Sequence, residues 1–96
     1  MILNERETDE GLLVSVCDPD VMGETFENGP VSLTVEESFY DGDAVSEDEV
    51  VESLARCSVA NIVGDESVGV AIEHGFVDEE NVLDLDGTRH AQLLWM

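Results

Sequence analysis

Lysine is absent, and three arginines are the whole basic complement against 24 Asp and Glu, a net charge of −21 over 96 residues. That balance excludes a broad phosphate-neutralising surface of the kind naked nucleic acid requires. No stretch reaches the roughly 18 continuous apolar residues of a membrane helix. The start, Met1 to Arg6, lacks the basic opening and apolar run of a signal peptide, so a cytoplasmic protein without membrane contact is expected. Two cysteines, Cys17 and Cys57, are too few for a disulfide framework and are expected as buried thiols packed like small hydrophobes. G-x-S-x-G, P-loop and G-x-G-x-x-G motifs are all missing, and no cofactor is implied.

What is present argues for a folded chain. Ile, Leu, Val and Phe make up 29 of the 96 residues, above the roughly 20% below which acidic chains stay unfolded. The carboxylates run from Glu5 to Asp86 rather than forming a tail, so they belong to a folded surface. At ~1 M salt the screening length is about 3 Å, and such a surface then costs little in self-repulsion. Acidity of this kind with no lysine reads as adaptation to a salt-rich cytoplasm. The length suits a single domain over residues 1–96, with N-terminal hairpins over 1–40, a helical middle over 46–75 and a C-terminal hairpin over 82–95.

The local pattern predicts an α+β fold: a small mixed or antiparallel sheet built from β-hairpins and packed against two helices. Strands are expected over 1–6, 11–17, 24–27, 31–35, 82–86 and 88–95. Leu12, Val14 and Val16 alternate with Leu13, Ser15 and Cys17, the period of a strand. Asp18-Pro19 reads as an N-cap with proline at the first helical position. Asn28-Gly29 and Asp86-Gly87 are hairpin turn pairs. The second sets Leu85 opposite Thr88, Asp84 opposite Arg89 as an ion pair, Leu83 opposite His90 and Val82 opposite Ala91.

Ser46-Glu47-Asp48-Glu49 is a capping box opening a helix over about 47–57. A second helix is expected over about 59–74, on the stripe Ala60, Val63, Gly64, Ser67, Val68, Ala71 and Ile72. Gly64 costs about 1 kcal/mol inside a helix, so either close packing offsets it or the helix breaks there. Gly75 closes the helix, with Phe76 as the contact beyond.

Candidate chemistry is sparse. Cys17, Cys57, His74 and His90 lack zinc-ligand spacing, so no metal is expected. Asp41-Gly42-Asp43 opens like a calcium loop but lacks the later ligands and reads as a solvated turn. His74 falls in a last helical turn, where a structural role suits it. His90 and Gln92 share one strand face, with Arg89 on the adjoining face, and Asn61, near the start of the second helix, could join them. One reading has His90 donating to a main-chain carbonyl at the end of the core. The other makes these residues a recognition patch.

Three segments resemble an archaeal family, the domain of unknown function 424: Asp41-Gly42-Asp43 after Phe39-Tyr40, then Ala60-Asn61-Ile62-Val63-Gly64, and Gly87-Thr88-Arg89-His90-Ala91-Gln92. Leu12 to Asp18 and Val45 to Val50 also fit, so the resemblance spans nearly the whole chain. It implies an archaeal source, an α+β domain without assigned activity, and a loose link to translation and RNA. With the acidity it suggests a halophilic member, whose basic RNA-facing surface is largely absent. On this basis the expected function is a non-enzymatic binding module using Asn61, Gly64, Arg89, His90 and Gln92. Its expected partner is a ribosomal protein or ribonucleoprotein. The competing expectation is a small hydrolase or transferase using His90 with a nearby carboxylate.

Overall fold

The computed structural model describes residues 1–94. A six-stranded mixed sheet runs in the order β5-β1-β2-β6-β8-β7. β1 (Ile2–Thr8) and β2 (Gly11–Cys17) form the first hairpin, paired from Ile2↔Cys17 to Thr8↔Gly11, so only Asp9 and Glu10 turn the chain. A 3-10 turn at Pro19–Val21 leads into a second hairpin, β3 (Thr25–Asn28) and β4 (Val31–Thr34). Asn28 pairs with Val31, so the loop residues are Gly29 and Pro30, one position later than the Asn28-Gly29 pair alone suggests. One helical turn, α1 (Glu37–Tyr40), and the two-residue β5 (Asp43–Ala44) precede α2 (Glu47–Arg56).

The C-terminal half departs from the expected pattern. The helix anticipated over 59–74 is a central strand, β6 (Val59–Val63), followed by a shorter helix, α3 (Asp65–Glu73). Val59 to Val63 fits a strand period as well as a helical one, with Ala60 and Ile62 facing one way and Asn61 and Val63 the other. Partners on both edges decide the matter: β6 pairs parallel to β2 and antiparallel to β8 (Thr88–Leu94). Gly64 then turns the chain at φ 116°, where a side chain is strained and a Cβ would overlap the Asp18 carboxyl group. The break at Gly64 is thus real, and what precedes it is not helix.

β7 (Leu83–Leu85) completes the sheet edge, and its register with β8 is Leu83↔His90, Asp84↔Arg89 and Leu85↔Thr88, as the Asp86-Gly87 turn requires. Val82 lies before β7, so its expected pairing with Ala91 is not part of the ladder. The expected strand over 88–95 is described to Leu94; Trp95 lies outside the described residues.

Helix ends follow local chemistry except in one case. Ser46 accepts from the Glu49 amide at 3.4 Å, and Phe76 N–H returns to the Ala71 carbonyl past Gly75. Asp18, however, does not cap its own turn. Its carboxylate accepts from the amides of Glu66 (3.0 Å) and Ser67 (2.8 Å) and from the Ser67 hydroxyl (2.6 Å), closing the N-terminus of α3 from the end of β2.

The sheet buries both faces unequally. Val14, Val16, Ala60, Ile62, Ala91 and Leu93 pack against Val50 and Leu54 of α2 and Val68 and Ala71 of α3. On the opposite face Cys17 and Val63 join Val21, Val35 and Tyr40 beneath the second hairpin and α1. Burying Leu54 alone contributes roughly 2–3 kcal/mol. Among the described residues no helix is long and apolar enough to cross a membrane.

Candidate recognition site on the hairpin side of the sheet

Side chains alternate across each strand, so the pairing register sorts them onto two faces. A polar row crosses the hairpin side, formed by Asn4↔Ser15, Ser15↔Asn61 and Asn61↔Gln92. The next row toward the second hairpin is Cys17↔Val63↔His90, and the next row away is Arg6↔Leu13↔Val59↔Leu94. None of the described strand residues on this face is Asp or Glu, in a chain that is one quarter acidic. The helix side carries Glu5, Glu7, Asp43 and Asp84.

The second hairpin and α1 cover only part of this face. Where their cover ends, a cleft of about 400 Å³ opens, lined by Leu33, Thr34, Glu36, Phe39, Tyr40, Asn61 and His90. Asn61 and His90 form its floor as diagonal neighbours, about 7 Å apart in sheet geometry. No side-chain hydrogen bond ties either one to another described residue, and no fully buried polar side-chain atom lacks a partner, so their polar atoms open to the cleft. Burial holds the His90 imidazole below its ordinary 6.5, in the neutral form at pH 7. Burial also pushes the Tyr40 phenol up to about 12, so it stays protonated. Cys17 below is pushed up to about 11 by burial and by the neighbouring Asp18 charge, an inert thiol.

Beyond the cleft the face is open. Gln92 is exposed beside Asn61, Leu94 is 58% exposed, and Leu13 and Val59 are partly covered. Asn4 is held by donating to the Asp41 carbonyl at 2.7 Å, and Gly42 lies so close to the Leu3 carbonyl that a Cβ there would overlap it. Asp41-Gly42-Asp43 thereby joins α1 to the sheet edge. Arg6 lies over the Phe39 ring, 5.5 Å from its centroid, with a 3.4 Å bond to the Ser38 carbonyl.

The residues singled out in the sequence divide. Asn61 and His90 meet in the cleft, and Gln92 adjoins them on the open surface. Arg89 points to the helix side, 29% exposed, with Nε 3.4 Å from the Asp65 carboxylate and a 2.9 Å bond to the Asp65 carbonyl. The expected Asp84–Arg89 ion pair does not form, because α3 starts directly over β8 and offers Arg89 both a carboxylate and a carbonyl. Gly64 sits in the buried turn, its N–H on the Arg89 carbonyl at 2.9 Å, and has no exposure to the cleft. Among the described residues the His90 side chain makes no bond to a main-chain carbonyl, unlike the expected closed-core arrangement.

Glu36, Phe39, Tyr40 and the β4 wall were not foreseen, since nothing local in the chain sets them beside β6. A usable signal for the floor was present: single polar residues at strand period inside apolar strands, Ser15, Asn61 and Gln92. His74 packs its ring at the end of α3 against Glu47, 2.9 Å away, a link between helices. Glu47, Glu73 and His74 bring ligand atoms within 4.8 Å of one another, all on exposed residues. Cys17 and Cys57 lie in separate cores, so the described cysteines and histidines form no shared site.

The comparisons agree with this fold. A crystal structure of an uncharacterized conserved protein from Methanopyrus kandleri is similar at a TM-score of 0.77 and 22% identity, over 99% of this chain and 93% of that one. At that identity the likeness concerns the fold alone. No curated protein matches. Two of the family-like segments, Ala60 to Gly64 and Gly87 to Gln92, are the neighbouring strands that carry Asn61 and His90. A family model described as protein of unknown function (DUF424) matches residues 5–96, and the chain belongs to that family.

Proposed function

We propose that the chain is a non-enzymatic recognition module of the translation apparatus in a halophilic archaeon, binding a basic ribosomal protein or ribonucleoprotein through the open half of its hairpin-side face. The observation that carries this reading is the absence of carboxylates from the described strand residues of that face, in a chain of net charge −21. Depletion of charge with apolar and amide groups at the centre is how protein interfaces are built. The acidic remainder suits a basic partner. Contacts through amides and apolar packing survive molar salt, which weakens exposed ion pairs.

Naked RNA fits this surface poorly. Arg56 is paired with Glu5 at 2.7 Å, Arg89 is paired with Asp65, and Arg6 lies against Phe39. Among the described residues His90 makes no hydrogen bond to a carboxylate or hydroxyl that would orient it as a base, which favours binding over hydrolysis or group transfer. Co-sedimentation with ribosomal particles in ~2 M KCl tests the reading. Asn61→Ala or Gln92→Ala should weaken association several-fold without moving the Tm, and retention of full association would refute the assignment. The halophilic part has its own test: the Tm should rise steeply from ~0.1 to ~2 M KCl as the screening length falls, and a flat Tm contradicts it.

A further inference from the structure

We infer that the cleft between the second hairpin, α1 and the floor of β6 and β8 takes an arginine side chain presented by a basic partner protein. This rests on the binding reading above and deepens it by naming what enters the site. Glu36, exposed at the start of α1, is the one residue with a formal charge among those lining the cleft at neutral pH. Asn61 and His90 below it are neutral and their side chains make no hydrogen bond among the described residues, and Leu33, Phe39 and Tyr40 supply mostly carbon walls.

Each alternative ligand chemistry leaves something unmatched. An anion would face Glu36 with no cation in the lining to offset it. A purely apolar group would desolvate Asn61 and His90 without replacing their hydrogen bonds, a cost of about 1–3 kcal/mol for each group. A guanidinium satisfies both. Its planar fork has five donors to share among the Asn61 carbonyl oxygen, the unprotonated His90 nitrogen and the Glu36 carboxylate. Its alkyl stem lies against Leu33 and Phe39 while the head reaches the floor. Lysine concentrates its charge on a more strongly hydrated ammonium, which suits a half-dry cleft less well. The molecule already makes one contact of this kind, since the Arg6 guanidinium covers the Phe39 ring. At about 400 Å³ the cleft also has room for main chain flanking the side chain.

Two-dimensional NMR of the whole chain in ~1 M KCl, titrated with the blocked tripeptide acetyl-Ala-Arg-Ala-amide, tests this. The citrulline tripeptide, equal in shape but uncharged, and uridine are the controls. Saturable shifts confined to Asn61, His90 and the Phe39-Tyr40 segment are expected with arginine. Affinity should fall about two- to fivefold for citrulline and for Glu36→Gln, the size of one exposed ion pair. Asn61→Ala should cost at least as much, with an unchanged Tm. Equal binding of citrulline, preferential binding of uridine, or no shift with arginine overturns the inference. If arginine fails while particle association still depends on Asn61, the arginine assignment falls and the binding reading stands. If both fail, both are wrong.

Discussion

The two faces of the central sheet come from the same strands and have opposite fates. On the helix side, Val14, Val16, Ala60, Ile62, Ala91 and Leu93 vanish under α2 and α3, and the carboxylates stand at the rim. On the hairpin side, cover over β6 and β8 stops at the His90 row, with Asn61, Gln92, Val59 and Leu94 beyond it, while α1 extends over Asn4 and the buried Ser15. The first face is a core, and its residues are explained by packing. The second is only half a core, and the free half avoids the residue types that dominate the rest of the sequence. Stability should therefore reside on one side and association on the other.

The largest effect is expected where the two sides are joined. Gly64 links β6 to α3 at positive φ, hard against Asp18, which caps that helix. Gly64→Ala strains the backbone and displaces the cap together, and should cost at least about 4 kcal/mol or prevent folding, measured by denaturant unfolding in high salt. Next, Leu54→Ala on the helix side should cost about 2–5 kcal/mol, whereas Leu94→Ala on the open side should stay within about 0.5 kcal/mol. Comparable losses at the two sites would erase the distinction between the faces.

A smaller effect concerns pH. The folded state holds His90 below its ordinary 6.5, so the unfolded chain takes up that proton first. The resulting stability is complete above about 6.5 and is lost as the pH falls through that value toward the lower folded one. Glu5 is lowered chiefly by its bond from Ser53 and then by Arg56, so its contribution is lost only below the ordinary carboxylate value of 4.5. Melting between pH 7 and 5.5 should thus show a decline that His90→Gln flattens. An equal decline in both proteins would show that the His90 environment is not what the cleft geometry requires.

These contrasts track what the sequence made legible. Hairpins at Asp86-Gly87 and near Asn28-Gly29, the Ser46 cap and the Gly75 stop are local, and each was readable from a few adjacent residues. β6 was not, because Val59 to Val63 satisfies two periods and its strand identity comes from β2 and β8, distant in sequence. The same holds for Asp18, whose partner Ser67 is 49 residues away, and for Arg89, which a helix start draws from Asp84 to Asp65. Asn61, His90 and Gln92 were visible as polar interruptions of strands. The wall of Glu36, Phe39 and Tyr40 depends on where one helical turn lands, which no local pattern states.

The most direct test of the account is to place a carboxylate among the strand residues of the hairpin-side face, where the described residues have none. Gln92→Glu adds one charge to the open hairpin side, and Ala55→Glu adds the same charge to the exposed side of α2. Both proteins should melt like the parent. Association with ribosomal particles in ~1 M KCl should fall at least tenfold for Gln92→Glu and stay unchanged for Ala55→Glu. Equal association of the two variants would mean that the open hairpin-side strand face is not the binding surface.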